Sequence, residues 1–325
     1  MPSTPCDPLR KQGYQFFSNT SSAALKPCMW CKRALAGGEM CYKHQFYGIE
    51  SHRCVQMTPT LRCNQRCLFC WRSFELEPHE EVECLPETIL AGIYKYQKKA
   101  LAGYNAVLDN TVTEVRWQEA LDPKHVAISL SGEPTLYSRL PELIDLFSSK
   151  GYTTFLVSNG TNPDMLRRCR PFQMYVSLDA PDKETYQAVC RPRGDYWDRV
   201  QESLRLLGSR RSAIRITLVK GLNDFNPEQY AAILQGSGAS FVEIKGYMYL
   251  GYSRNRLARE NMPEHAEVRT FAEKVSAACD YRFKDENKLS RVVMLERMTG
   301  DSIPMTGKRD RTRTLKVLGT RDRRS

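Results

Sequence analysis

The sequence has no apolar run that approaches the roughly 18 residues of a membrane span, and its mean hydropathy is −0.51. Its first residues contain no apolar signal region ahead of a small-residue cleavage site. No internal repeat is present, which argues against a repeat protein. These absences predict a soluble, cytoplasmic protein without a membrane anchor.

Cysteine, in contrast, is abundant. The 325 residues include 12 cysteines, and eight of them fall within the first 70 positions, namely Cys6, Cys28, Cys31, Cys41, Cys54, Cys63, Cys67 and Cys70. A reducing cytosol does not maintain structural disulfides, so this crowding indicates metal chemistry. Five cysteines have no regular spacing and are interpreted as ordinary thiols, namely Cys6, Cys84, Cys169, Cys190 and Cys279.

The charge balance is basic. With 48 Lys and Arg against 37 Asp and Glu, the formal net charge is +11. This suggests an anionic partner such as nucleic acid.

Short β-branched or aromatic runs alternate with helical stretches from about residue 54 onwards, which is typical of βα units around a parallel sheet. Strands are predicted at 55–61, 125–130, 153–158, 174–179, 214–220 and 241–247. Helices are predicted at 86–101, 140–150, 182–189, 196–207, 227–234 and 265–278. Six such units predict an α/β fold, an incomplete (β/α)6 TIM-like barrel whose functional face lies at the carboxyl ends of the strands.

Three regions follow from these patterns. Residues 1–53 are predicted to form an irregular, Cys-rich N-terminal cap, and residues 54–290 the barrel. Residues 291–325 are predicted to be a basic C-terminal extension, because the last 18 positions hold eight basic and two acidic residues.

The first strand is followed by Cys63, Cys67 and Cys70 in the spacing C-x3-C-x2-C. Three thiolates on one loop can hold three irons of a 4Fe-4S cube and leave the fourth iron open. The alternative is a zinc site that joins Cys28 and Cys31 with Cys67 and Cys70.

This spacing resembles that of the radical S-adenosylmethionine (SAM) superfamily. There, SAM occupies the open iron, and one electron releases a 5′-deoxyadenosyl radical. The segment Ser-Gly-Glu-Pro after the second strand looks like the superfamily's GGEP element, with serine in place of the first glycine.

The resemblance implies that the backbone of Ser131, Gly132 and Glu133 binds the methionine moiety of SAM. Polar residues at the next two strand ends could hold its sugar hydroxyls, namely Ser158, Asn159, Ser177 and Asp179. Such residues also end strands in turns without any ligand.

Cys28, Cys41 and Cys54 are separated by twelve residues each. Long loops of this kind suit a second three-thiolate 4Fe-4S site better than zinc, whose ligands come in close pairs on short turns. The alternative is that these thiols only fill space in the interior. Cys31 is left without a role.

The two cysteine patterns together resemble those of the tRNA 4-demethylwyosine synthases, over about residues 25 to 290. The resemblance implies condensation of pyruvate with N1-methylguanosine beside the anticodon of tRNA-Phe. It implies that the open iron of the second cluster binds pyruvate, and that Lys43 forms a Schiff base with pyruvate or assists its condensation. From the residues alone, Lys43 could equally be a solvated loop residue.

In the implied reaction, the radical abstracts hydrogen from the methyl group, the carbon radical adds to the pyruvate carbonyl carbon, and carbon-carbon scission releases the carboxylate. Eukaryotic members carry a fused flavodoxin-like module. The 62 residues before Cys63 are too few for such a domain and contain no phosphate-binding loop. We therefore expect an external electron donor, a ferredoxin or flavodoxin-like protein, as in a short archaeal-type form.

The segment that follows the sixth strand is the predicted RNA-binding route, because its tyrosines could stack on bases and its arginines could meet phosphates. The predicted contacts are Tyr247, Tyr249, Tyr252, Arg254 and Arg256. An exposed polar loop at a strand end is the alternative. Two other functions also stay open, namely a different radical SAM enzyme such as an activase or methyltransferase, and a zinc-stabilised RNA-binding module.

Overall fold

The computed structural model describes residues 7–74, 82–103 and 114–298. The strands are β1 (Gln15–Phe16), β2 (Ala24–Leu25), β3 (Cys54–Thr58), β4 (His125–Ile128), β5 (Thr153–Ser158), β6 (Gln173–Ser177), β7 (Ser212–Leu218), β8 (Phe241–Gly246), β9 (Tyr281–Asn287) and β10 (Val292–Arg297). The helices are α1 (Asp7–Lys11), α2 (Met29–Leu35), α3 (Tyr42–Tyr47), α4 (Pro86–Leu101), α5 (Glu114–Leu121), α6 (Leu140–Ser149), α7 (Pro163–Arg168), α8 (Lys183–Cys190), α9 (Trp197–Arg205), α10 (Pro227–Ser237) and α11 (His265–Ala277). None of the helices in these ranges is long and apolar enough to span a bilayer.

Six parallel strands, β3 to β8, follow one another in chain order across the sheet. Helices α4 to α10 occupy the connections between them, and α11 follows β8. One face of the sheet packs with these helices into the main apolar core. The predicted α/β fold with an incomplete (β/α)6 barrel is confirmed, and the ends of the predicted elements shift by no more than three residues.

Antiparallel strands extend both edges of the parallel sheet, and the sequence does not predict them. β1 and β2 lie beside β3, while β10 pairs with β8 and β9 with β10. Hydrophobic alternation does not indicate β9 because most of its residues are charged. The predicted boundary at 290/291 falls inside this hairpin, so the sheet continues to Arg297. The rest of the predicted extension, from residue 299, and Cys6 lie outside the described residues.

The Cys-rich cap contains three short α-helices where the sequence predicts irregular structure, and two of them, α2 and α3, begin directly after cysteines. α2 begins after Cys28, whose sulfur accepts a hydrogen bond from the Cys31 N–H at 3.4 Å. α3 begins after Cys41 and ends at Gly48, whose φ of +70° stops the helix. With seven and six residues, neither helix is long enough to show a clear helical period. The prediction of an irregular cap is wrong in this respect.

α3 packs inside the barrel, on the face of the sheet opposite the outer helices. Three of its aromatic residues join three aromatic residues of the strands in one buried cluster, namely Tyr42, Phe46, Tyr47, Phe155, Tyr175 and Phe241. The neighbouring strand residue Leu156 points the other way, into the core beneath the outer helices. The helix thus fills part of the barrel interior, with Tyr47 beside Phe241 at the start of β8 and Tyr42 beside Lys245 near its end.

A buried ion pair ties α3 to the strands beneath it. Glu243 of β8 is fully buried and accepts hydrogen bonds from the Tyr47 and Tyr175 hydroxyls at 2.6 and 2.9 Å. Its other oxygen lies 2.6 Å from Nη2 of Arg215. Burial alone would raise the pKa of Glu243, but Arg215 and Tyr47 hold it below its ordinary value. The carboxylate is therefore charged and paired.

Replacing Glu243 with glutamine should lower the free energy of unfolding by about 3–5 kcal/mol, because it leaves the Arg215 charge buried without its partner. Denaturant unfolding of the metal-free protein measures this change. The double variant Arg215→Met with Glu243→Leu should recover much of the loss, since no unpaired charge remains. Asp195→Asn, which breaks an exposed pair with Lys183, should change stability far less. Equal losses of unfolding free energy in Glu243→Gln and in the double variant would show that lost packing, and not the unpaired charge, causes the destabilisation.

Candidate functional site

The first cysteine loop (residues 59–70) follows β3 at the carboxyl end of the sheet. Cys63, Cys67 and Cys70 are each partly buried there. Burial raises the pKa of Cys63, and the charges of Cys67, Glu133 and Cys70 raise it further. The loop therefore brings together the three thiols that the sequence predicts as ligands of one cluster.

Two neighbouring segments hold the first cysteine loop in place. Residues 64–68 form backbone hydrogen bonds with residues 189–193, at the end of α8 and just beyond it. On another side, Arg256 donates to two carbonyl oxygens of the loop. The Tyr252 N–H donates to the Trp71 carbonyl oxygen at 3.0 Å. The position of the thiols is thus set by the loops that follow β6 and β8.

The Ser-Gly-Glu-Pro segment after β4 lies against the same loop. Gly132 has a φ of +69°, and a Cβ atom there would lie 2.2 Å from the Thr60 carbonyl oxygen. The Glu133 N–H donates to the backbone of the loop at 2.7 Å, and the Thr58 hydroxyl donates to the Ser131 carbonyl at 2.5 Å. Only glycine allows two backbones to approach so closely. The peptide groups of the segment are therefore held beside the three thiols.

The Glu133 side chain connects the ends of β4 and β5. Its buried carboxylate accepts hydrogen bonds from the N–H and hydroxyl of Thr135 at 3.0 and 2.7 Å. It also accepts from the Ser158 hydroxyl at 2.8 Å and the Asn159 N–H at 2.7 Å. Burial raises the pKa of Glu133, and these donors oppose that rise. The side chains of Glu133 and Ser158 thus hold the ends of β4 and β5 together beside the first cysteine loop.

A small cleft next to the first cysteine loop is lined by Asn159, Ser177 and Asp179. The Asn159 amide nitrogen donates to Oδ1 of Asn64, which lies in the loop directly after its first cysteine, at 2.8 Å. The Asp179 carboxylate accepts a backbone N–H of β7 at 2.7 Å, and burial raises its pKa to about 6. Three of the four polar residues predicted at these strand ends therefore face one cleft.

The second cysteine set consists of Cys28, Cys41 and Cys54, which lie at the starts of α2, α3 and β3. Burial raises the pKa of Cys54, with further influence from the charges of Cys28, Lys43 and Cys41. The structure thus brings these three thiols and Lys43 together. Cys54 is the first residue of β3, and the first cysteine loop follows the last, so about 13 Å of strand lies between the two sets.

Lys43 lies on α3 with its amine in the barrel interior. Its Nζ is 4.9 Å from the centre of the Phe155 ring and 5.0 Å from that of Tyr175. Burial, reinforced by the charge of Arg215, lowers the pKa of Lys43. A lowered pKa increases the fraction of neutral amine, which is the nucleophilic form. The arrangement differs from that of a solvated loop residue.

Cys31 lies close to the second cysteine set, although the sequence assigns it no role. It is fully buried, and its thiol donates to the His52 carbonyl oxygen at 3.9 Å. Burial raises the pKa of Cys31 strongly, and the charges of Cys28 and Cys54 add to this. Cys31 packs with apolar side chains of α2, α4 and α5, so it also contributes to the core.

The zinc alternative would need Cys28 and Cys31 beside Cys67 and Cys70. In the structure Cys28 precedes α2 and lies near Cys54 at the start of β3. Cys67 and Cys70 lie on the first cysteine loop, beyond the other end of β3. The two pairs of thiols therefore belong to separate sets, which disfavours a zinc site between them.

Two of the residues predicted to bind RNA have other contacts. Tyr247 is only 2% exposed, and its hydroxyl donates to Oγ of Ser253 at 2.9 Å. The prediction that it stacks on a base is wrong, because its ring has no free face. Arg256 bonds to the first cysteine loop and lies 4.3 Å from the centre of the Phe74 ring. It positions the loop, and its predicted contact with phosphates stays a prediction.

The other three predicted RNA contacts reach the surface. Tyr249 and Tyr252 are partly exposed, and Arg254 is exposed. Trp71, which is not among the predicted contacts, lies beside them with 36% of its surface exposed. Lys26 Nζ is 5.9 Å from its ring centre. The position of Trp71, directly after the third cysteine of the loop, is the sequence signal that could have indicated it as a candidate RNA contact.

Comparison with known proteins agrees with this geometry. The Radical SAM superfamily matches residues 57–233, and the Wyosine base formation family matches residues 237–297. The S-adenosyl-L-methionine-dependent tRNA 4-demethylwyosine synthase of Pyrococcus abyssi is 43% identical over 91% of this chain and 90% of its own. Its namesake in Methanocaldococcus jannaschii is 40% identical, over 89% and 94%.

Solved structures show the same fold. The structure of TYW1 with a lysine-pyruvate adduct bound matches with a TM-score of 0.83 and 39% identity, covering 91% of this chain and 96% of that one. The crystal structure of archaeal TYW1 matches with a TM-score of 0.78 and 35% identity, covering 94% and 99%. This chain therefore belongs to the S-adenosyl-L-methionine-dependent tRNA 4-demethylwyosine synthase family, within the radical SAM superfamily.

Proposed function

We propose that this chain converts N1-methylguanosine in tRNA-Phe to 4-demethylwyosine, with pyruvate as the second substrate. The observation that carries the proposal is the pair of separate three-thiol sets, one at each end of β3, with Lys43 in the barrel interior beside the second. Relatives named for this activity, at 40% and 43% identity, support the same reaction.

The first cysteine loop would hold a 4Fe-4S cluster through Cys63, Cys67 and Cys70. When bound, the cluster and SAM supply a 5′-deoxyadenosyl radical upon one-electron reduction. The backbone around Gly132 would bind the methionine moiety, since its peptide groups are held beside the thiols. The cleft with Ser177 and Asp179 would accept the sugar hydroxyls. A ferredoxin or flavodoxin-like protein would deliver the electron.

The second cysteine set would hold a second 4Fe-4S cluster, whose open iron would act as a Lewis acid toward the pyruvate oxygens. The Lys43 amine attacks the pyruvate carbonyl carbon, and loss of water gives a Schiff base. Its lowered pKa supports this role. A lysine-pyruvate adduct in a related solved structure supports it as well.

An anaerobic assay tests the proposed function. Reconstituted protein is incubated with SAM, a reductant, pyruvate and tRNA-Phe that carries N1-methylguanosine, and the digested tRNA is analysed by mass spectrometry. We expect the tricyclic nucleoside to form only when pyruvate is present. Methylation without pyruvate would indicate a methyltransferase, and unchanged tRNA with intact SAM cleavage would favour an activase. Reconstituted protein should contain about eight irons per chain.

Arg254→Ala should weaken tRNA binding across sequences and reduce the slope of log affinity against log salt by about one, because one phosphate contact is lost. Fluorescence anisotropy with labelled tRNA over a salt series measures both. Arg282→Ala is the control, since this exposed arginine lies on β9 and pairs with Glu296. An unchanged slope in Arg254→Ala would move the RNA-binding route away from the segment after β8.

A further inference from the structure

Trp71 forms an exposed aromatic surface directly after the last thiol of the first cysteine loop. As much as 36% of its surface is exposed, although tryptophan is highly buried on average. Its backbone is nevertheless held, because the Tyr252 N–H donates to its carbonyl oxygen at 3.0 Å. Gly251 allows this approach, since a Cβ atom there would lie 2.3 Å from the same oxygen. An exposed ring on a fixed backbone is favoured where a protein contacts a partner.

Two cations lie beside the Trp71 ring. Lys26, from the cap segment between β2 and α2, has its Nζ 5.9 Å from the centre of the Trp71 ring and 5.0 Å from that of Tyr14. The guanidinium carbon of Arg72 lies 5.1 Å from the Trp71 ring centre. Burial lowers the pKa of Lys26, and the charge of Lys32 lowers it further. The surroundings of the ring are thus positively charged.

This positive charge has no acidic partner nearby. Within the part of the chain that the structure describes, neither Lys26 nor Arg72 pairs with a carboxylate, and neither does Arg254 on the loop after β8. Arg72 donates to the Ser129 carbonyl oxygen, and Arg254 donates to the Gly251 carbonyl oxygen at 3.2 Å. A ring next to such cations suits a nucleic acid, because bases stack on aromatic rings and phosphates bind cations.

We propose that Trp71 and Lys26 form a nucleotide-binding subsite, in which the Trp71 ring stacks on a base that flanks the methylated guanine and Lys26 binds the phosphate of that nucleotide. The inference rests on the proposed function, because it takes tRNA as the substrate. It adds one contact from the cap and one from the first cysteine loop to the RNA-binding route after β8.

The need for such a subsite follows from the geometry of the reaction. A guanine beside the anticodon is stacked in its loop, so its methyl group reaches the site of radical formation only when the base leaves the stack. The flanking base then loses a stacking partner. Stacking of that base on Trp71, next to Cys70, would offset part of this loss and hold the RNA loop open beside the cysteine loop.

The test measures binding of an anticodon stem-loop that carries N1-methylguanosine to reconstituted protein, by fluorescence anisotropy. Trp71→Ala should weaken binding roughly 10- to 100-fold, the range of one base-aromatic stack. Trp71→Phe should recover most of the affinity because a ring remains. Trp71→Leu, which is apolar but has no ring, should stay close to Trp71→Ala.

The matched control is Phe283→Ala. Phe283 is 40% exposed, and the guanidinium carbon of Arg269 lies 4.1 Å from its ring centre. It therefore shares an exposed ring and a neighbouring cation with Trp71, but it lies on β9. Its replacement should leave the affinity for the stem-loop at the wild-type value.

A fluorescent base identifies the nucleotide that stacks. 2-Aminopurine replaces a base that flanks the methylated guanine, and its emission is read at saturating protein. The emission should stay quenched in the wild type and in Trp71→Phe, and the quenching should be lost in Trp71→Ala. Lys26→Gln should keep the quenching and reduce the slope of log affinity against log salt by about one, because one phosphate contact is lost.

Equal affinity and equal 2-aminopurine emission in the wild type and in Trp71→Ala would overturn the inference. It would also be overturned if RNA binding is unchanged and a ferredoxin, but not dithionite, reduces Trp71→Ala more slowly, since the surface would then bind the electron donor. If Trp71→Ala loses its cluster, Trp71→Phe and Trp71→Leu at equal iron content decide the question. Absence of the tricyclic nucleoside in the anaerobic assay of the wild type would instead refute the proposed function.

Discussion

Cys41→Ala should abolish formation of the tricyclic nucleoside and still allow SAM to be cleaved. The alanine removes one thiol of the second cysteine set and keeps the backbone N–H that donates to Ser51 Oγ at 2.9 Å, so α3 should form as before. Iron should fall from about eight to about four atoms per chain. Iron and sulfide analysis, release of 5′-deoxyadenosine and mass spectrometry of the tRNA measure the three quantities.

The control for this variant is Cys279→Ala, whose half-buried thiol bonds to the Val275 carbonyl near the end of α11. It should keep both clusters and full activity. If Cys41→Ala loses one cluster and still makes the product, the proposed pyruvate role of the second cysteine set is wrong.

Lys43→Gln should lower product formation by roughly 10²- to 10⁴-fold, the range that a positioned catalytic group contributes. Cluster content should stay unchanged, because the substitution removes no thiol. The Schiff base gives a second measurement: borohydride reduction in the presence of labelled pyruvate should attach the label to the peptide that contains Lys43. Lys284→Gln, on β9 and paired with Glu296, should behave like the wild type.

Lys245 is the main alternative to Lys43 as the amine that attacks pyruvate. It is partly buried nearby, with Nζ 5.5 Å from the centre of the Tyr42 ring, and burial lowers its pKa to about 8. Its amine donates to the Ser290 carbonyl, which restrains it from attacking a substrate. Label on the peptide with Lys245 in place of Lys43 would transfer the proposed nucleophile to β8.

The barrel could be predicted from the sequence because its signals are local. Strand and helix periods repeat within short windows, and regular cysteine spacing marks two sets of thiols without any knowledge of the fold. The position of Gly132 near the first cysteine loop could also be predicted. Its motif directly follows β4, and the carboxyl ends of parallel strands lie at the same end of the sheet.

Features that depend on contacts between distant segments could not be predicted in this way. Tyr247 has the composition of a stacking residue, but the loop folds back and buries its ring against Ser253. Arg256 has the charge for a phosphate and is used to hold the first cysteine loop. The backbone contact between Cys190 and Arg66 cannot be read from any spacing pattern, because it depends on how α8 ends against the first cysteine loop.

The packing of α3 inside the barrel has a consequence for the order of events. Lys43 lies in the barrel interior beside the rings of Phe155 and Tyr175, whereas the proposed tRNA route lies on the loop after β8. In the proposed reaction, a docked anticodon loop would cover the rim at the carboxyl ends of the strands, which a three-carbon acid can pass beforehand. We therefore expect sequential binding with pyruvate first, so that tRNA should slow the escape of pyruvate that is already bound.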